Sequence, residues 1–101
     1  MSEAPTQQQQ PREPNTVFIG KKPTMSYVLA CLTVMQNGGA GVNVKARGKA
    51  ISKAVDVAQI ITKRFATDVS VKKIAINTEQ VKSLETGAMN NVSSIEIHLE
   101  K

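Results

Sequence analysis

The sequence predicts an α/β two-layer sandwich with the element order β-α-β-α-β-β. Three observations predict it. Apolar residues recur at helical spacing in two stretches, one before Asn37 and one after Gly48. Strict alternation of apolar and polar residues marks Val42 to Arg47 and Ser94 to Glu100. Glycine, proline or asparagine stands where one period gives way to the next. At 101 residues the chain is long enough for one domain.

Residues 1–15 contain four consecutive glutamines, three prolines and no large apolar residue after Met1. Such a segment cannot bury enough apolar surface to order itself, so a disordered tail is expected there, with residues 16–101 as the folded domain. A unit of that size is marginal alone, and a second chain is expected to supply apolar cover. Thr16-Val17-Phe18-Ile19-Gly20 reads as a short strand buried on both faces and ended by glycine. Lys21 and Lys22 lie in the connection that follows, and Pro23 opens a helix, where a missing N–H does no harm. Met25, Val28, Leu29, Leu32 and Met35 form one line of that helix, with Tyr27, Cys31 and Val34 beside it. Asn37-Gly38-Gly39 is its stop signal.

In the second strand Val42, Val44 and Ala46 face the core, and Asn43, Lys45 and Arg47 face out. Gly48, lacking a Cβ, permits a tight handover to a helix from Lys49 to Phe65. Ile51, Val55, Ala58 and Phe65 form one line on this helix, and Ala50, Ala54, Val57 and Ile61 a second. That band is wide enough to pack on the sheet and on another subunit together. Asp68 marks a turn. Val69 to Val81 reads as a strand whose apolar phase breaks near Lys72-Lys73, which predicts a bulge or a change of buried face. The last strand places Ile95, Ile97 and Leu99 inward and Ser94, Glu96, His98 and Glu100 outward. These two strands form a hairpin with Gly87 near its tip. Limbs of ten to twelve residues reach roughly 35 Å, more than a small sheet needs, so the distal part is expected to project as an arm. Two crossovers set the first three strands parallel.

The formal charge is +5, and its distribution says more than its sum. From Pro14 to Val55 stand six cations, Lys21, Lys22, Lys45, Arg47, Lys49 and Lys53, and no Asp or Glu. Such a block reads as a surface for a polyanion, nucleic acid first, or as a solvated face. Where Lys45-Ala46-Arg47-Gly48-Lys49 passes from strand to helix, free N–H groups and the positive helix end join the cations in an anion site.

Other chemistry has little support. Cys31 is the only cysteine and falls in an apolar helical pattern, as a buried inert thiol does. One His and one Cys, far apart, cannot make a structural zinc site, so neither metal nor cofactor is expected. No nucleophilic triad assembles, and Gly48-Lys49 lacks the rest of a nucleotide-binding loop. The chain is therefore not expected to be an enzyme. No apolar run approaches a membrane span and no leader pattern opens the chain, so a cytoplasmic protein without membrane contact is expected. Phe18 and Tyr27 read as core, and Phe65 either as core or as an apolar knob between neighbouring molecules.

Val17-Phe18-Ile19-Gly20-Lys21-Lys22-Pro23, Met25-Ser26-Tyr27-Val28-Leu29, the run from Lys45 to Asp56, and Ser93-Ser94-Ile95-Glu96-Ile97 closely resemble Alba, the small DNA-binding chromatin protein of archaea. The resemblance spans about residues 16–101. It implies a mixed four-stranded sheet like that of the C-terminal domain of a bacterial translation initiation factor, with the last strand inserted antiparallel beside the second. It also implies a homodimer that binds double-stranded DNA without strict sequence preference, coats, compacts or bridges it, and associates with the chromosome. RNA is a further implied partner, and an RNA-binding chaperone or ribonucleoprotein subunit is the alternative reading. Carried over by position, Lys21, Lys22, Lys45, Arg47, Lys49 and Lys53 would bind nucleic acid; acetylation of Lys21 or Lys22 would remove a charge from the same place. Phe65 would mediate dimer–dimer contact. On the arm this chain offers Lys82 as its cation, with Asn90 and Asn91 as hydrogen-bonding groups for a minor groove. The tip departs from the family pattern: Ser83 to Asn91 has one anion, Glu85, and no cation.

Overall fold

The computed structural model describes residues 15–37 and 41–101. The expected tail, apart from Asn15, and the glycine pair of the first helix stop lie outside the described residues. The elements run β1 (Thr16–Phe18), α1 (Thr24–Gln36), β2 (Gly41–Arg47), a 3-10 turn (Gly48–Ala50), α2 (Ile51–Ile60), a π turn (Ile61–Phe65), β3 (Ser70–Lys82) and β4 (Met89–Glu100).

One sheet holds the strands in the order β1-β2-β4-β3. β1 pairs parallel with β2, and β4 lies antiparallel to both β2 and β3, so β1, β2 and β3 share one direction. The mixed sheet and the inserted last strand are as expected. The expected bulge appears as a register shift between Val71 and Lys73, which brings Ile74 and Ile76 onto the same face as Val71.

Both helices pack on that face. Val42, Val44 and Leu99 are fully buried there beneath Val28 and Cys31 of α1 and Ala54 and Val57 of α2. Burial pushes the Cys31 thiol up to about 12, which keeps it in its uncharged form. Of the two apolar lines on the second helix, Ala54, Val57 and Ile61 of one are buried in the core together with Ala58 of the other. Val55 and Phe65 point away, and Phe65 is 52% exposed, so the core reading of Phe65 is corrected. At this end Ala66 N–H reaches back five residues to the Ile61 carbonyl at 2.7 Å, and the widened turn departs from regular helical spacing. On α1 likewise only Tyr27, Val28 and Cys31 are buried, while Met25 and Leu29 of the expected line are exposed. Pro23 stands at the N-cap, one residue outside the helix it was expected to open.

β2 follows β4 only from Gly41↔Glu100 to Arg47↔Ser94. Beyond that point Thr78–Lys82 and Met89–Ser93 pair with each other alone, as the expected arm. Thirteen residues of β3 span about 43 Å at about 3.3 Å per residue, which accounts for the 46 Å long axis of the molecule. Ser83 and Ala88 close the arm through a 2.8 Å backbone bond, and Gly87 takes a positive φ of 76° within the turn.

Candidate nucleic-acid interface

The site is built where β1 and β2 end. Parallel pairing puts Phe18 beside Lys45 on the sheet face away from the helices. β2 carries Arg47 on the same face two residues later. Gly48 then turns the chain with φ of +57°, a conformation that a side chain disfavours, and starts the 3-10 turn with Lys49. From the other side the chain leaves β1 through Gly20, Lys21 and Lys22.

These segments enclose one groove of about 1160 Å³. Lys21, Lys45, Arg47, Lys49 and Lys53 all line it, together with Asn77 and Glu79 of β3 and Ser94 and Glu96 of β4. Lys22 is exposed in the same turn as Lys21. Five of the six cations expected from the sequence thus meet in one concavity, with the sixth adjacent in the chain.

The cations are not equivalent. Among the described residues, no hydrogen bond or ion pair engages the side chains of Lys21, Lys22 or Lys49. The Lys45 ammonium lies 5.8 Å from the Phe18 ring centroid. That ring, expected in the core, is only half-buried. Arg47 Nη1 donates to Glu79 Oε1 at 3.2 Å, and both side chains are exposed, at 60% and 44%. An exposed pair of this kind contributes about 0–1 kcal/mol, so a stronger anion can displace the carboxylate. Lys53 turns inward and donates to the backbone carbonyls of Gly20 at 3.3 Å and Lys22 at 2.8 Å.

Other expected residues stand apart. Lys82, Asn90 and Asn91 gather near the arm tip, where Val81 faces Asn90 and Gln80 faces Asn91, outside the groove. Phe65 is outside it also, at the far end of the second helix. His98 faces outward as expected, held between Asn43 Oδ1 at 2.6 Å and Glu100 Oε1 at 2.9 Å. Among the described residues, no three His, Cys, Asp or Glu side chains gather as a metal site would require. Among the described residues, no helix is long and apolar enough to cross a membrane.

Sequence reasoning missed two contributors. Glu79 reaches the groove because Arg47 faces Ser94, Ser94 faces Asn77, and Glu79 lies two residues on, on the same face. Tyr27 reads as core, yet its hydroxyl accepts hydrogen bonds from the turn that carries Lys21 and Lys22.

A sequence profile of the Alba family matches residues 15–78. The chain belongs to the Alba family. It is 58% identical over 87 residues to DNA/RNA-binding protein Alba 1 of Archaeoglobus fulgidus, covering 86% of this chain and 96% of that one. It is 51% identical over 89 residues to DNA/RNA-binding protein Alba of Methanocella arvoryzae, covering 88% and 92%. The solved structure of Alba from Thermoplasma volcanium superposes with a TM-score of 0.80 at 49% identity, over 86% of this chain and all of that one. The family profile thus spans β1, both helices, β2 and the proximal part of β3, the segments that supply every cation of the groove.

Proposed function

We propose that the protein is a homodimeric nucleic-acid-binding protein of the chromosome that grips double-stranded DNA by its backbone phosphates. RNA is a second ligand of the same surface. The observation that carries this reading is the convergence of Lys21, Lys45, Arg47 and Lys49 from separate segments on one groove, with Lys22 beside it. Ammonium and guanidinium groups that neutralise phosphates release condensed counterions, which favours binding without reading bases. The names of the archaeal relatives, DNA/RNA-binding protein Alba, support the same ligand class.

The homodimer is supported by an uncovered strip on the helical face of β3. Ile74 is 58% exposed and Ile76 78%, and Ile76 shares a shallow hollow with Ile51 of α2 and Ile95 of β4. A second copy of the chain would cover this strip, at about 1.5–3 kcal/mol for each large side chain fully buried. Pairing would also double the number of cations offered to one duplex. Phe65, exposed on the second helix, is proposed as the contact through which dimers coat or bridge duplexes.

The test is a gel-shift titration of mixed-sequence duplex DNA and structured RNA of several lengths with the Lys21→Ala/Lys22→Ala variant. Affinity is expected to fall at least tenfold for all DNA sequences alike. A loss confined to one sequence class would contradict backbone binding. Competition at fixed salt ranks the ligands, and a clear preference for RNA would favour the RNA-chaperone or ribonucleoprotein role over chromosome binding.

A further inference from the structure

We propose that Tyr27 and Lys53 are positioning residues that hold the Lys21–Lys22 turn in its phosphate-binding shape. The inference rests on the phosphate-binding reading above and adds to it the device that sets the turn.

Residues 19–23 leave the sheet after the Ile19 N–H bonds the Lys45 carbonyl at 2.8 Å, and they enter α1 at the Pro23 N-cap. The intervening turn lies at the surface and belongs to neither strand nor helix, so no ladder or helix bond holds its peptide groups. Two side chains hold them instead. The backbone N–H groups of Gly20 and Lys22 both donate to the Tyr27 hydroxyl oxygen, each at 2.9 Å. The carbonyls of the same two residues both accept from the Lys53 ammonium, at 3.3 and 2.8 Å. Every peptide donor and acceptor of Gly20 and Lys22 is thus engaged by one phenol from α1 and one ammonium from α2.

The two anchors are themselves fixed. The Tyr27 ring is 8% exposed, in the core, and the Lys53 ammonium lies 6.0 Å from its centroid. A Cβ on Gly20 would stand 3.2 Å from the phenol oxygen, closer than ordinary van der Waals contact, so a side chain there would press on the hydroxyl that the turn bonds. What the clamp leaves outside is the pair of exposed lysine side chains, Lys21 and Lys22. Phosphate then meets a turn whose backbone is already ordered, and binding does not have to freeze it.

The clamp gives Lys53 a role distinct from that of its neighbours in the groove. Its charge acts through the Gly20 and Lys22 carbonyls, so its contribution to affinity passes through Lys21 and Lys22. Tyr27 acts the same way without carrying charge.

The test measures duplex-DNA affinity at fixed salt for Tyr27→Phe, Lys53→Met, Lys53→Arg and Lys21→Ala/Lys22→Ala, and for the last combined with Lys53→Met. Amide hydrogen exchange is followed at Gly20 and Lys22. Tyr27→Phe keeps the buried ring and the net charge. It is expected to weaken binding about five- to tenfold and to speed exchange at both amides. Lys53→Met is expected to do the same, and Lys53→Arg to recover most of the affinity through its own donors. Added to Lys21→Ala/Lys22→Ala, Lys53→Met is expected to weaken binding less than twofold, because the side chains it positions are gone. Wild-type affinity in Tyr27→Phe with fast amide exchange would overturn the inference while leaving the phosphate reading intact. Full additivity of Lys53→Met would overturn it for Lys53 and make that residue a direct phosphate contact. Wild-type affinity of Lys21→Ala/Lys22→Ala would overturn the phosphate reading itself.

Discussion

β2 and β3 run in the same direction in one sheet, and both carry apolar residues on the face that the helices cover. Their fates are opposite. Val42 and Val44 of β2 are 0% exposed, whereas Ile74 and Ile76 of β3 are 58% and 78% exposed. The cause is the neighbourhood of each strand. β2 sits between β1 and β4 beneath both helices, and β3 is an edge strand paired with β4 alone. Alternation therefore marks the side of a strand that avoids water, and the rest of the fold decides whether the chain covers that side itself. On β2 the pattern builds the core. On β3 it leaves a strip for which we propose a second copy as the cover.

Substitution on the two strips separates these fates. Leu99 on β4, fully buried and paired with Val42, belongs to the covered side. Leu99→Ala is expected to destabilise the fold by about 2–5 kcal/mol in urea denaturation, whatever the protein concentration. Ile74→Glu with Ile76→Glu is expected to leave each protomer folded and to shift the mass measured by light scattering from dimer to monomer. The same pair is expected to remove the dependence of Tm on protein concentration. A variant that stayed dimeric would move the proposed interface elsewhere. The smallest effect is expected from Glu79→Gln on the outer face of β3. It frees Arg47 and should tighten duplex binding about two- to threefold, with a change in stability below about 1 kcal/mol.

Local patterns made most of the fold legible. The alternation of Val42 to Arg47 and Ile95 to Glu100, the handover at Gly48 and the break at Lys72-Lys73 all lie within a few residues of the features they dictate. The candidate site was legible as a set of cations, because the absence of acids from Pro14 to Val55 needs no structure to be seen. The use made of each cation was not. Lys53 bonds carbonyls 31 and 33 residues away, and Arg47 meets a carboxylate 32 residues away. No local period encodes such pairings, since they depend on where α2 and β3 come to rest. Of the two readings of Phe65, core or apolar knob, local spacing cannot choose, because Val55 on the same line also faces out of the core and only the packing of the helix on the sheet decides which line is covered.

The central claim is that cations of this groove bind the nucleic-acid backbone by neutralising phosphates. Its most direct test is the salt dependence of duplex binding. If each dimer neutralises about six to eight phosphates, log K falls against log salt concentration with a slope of about −5 to −7. A slope of about −1 would contradict the account.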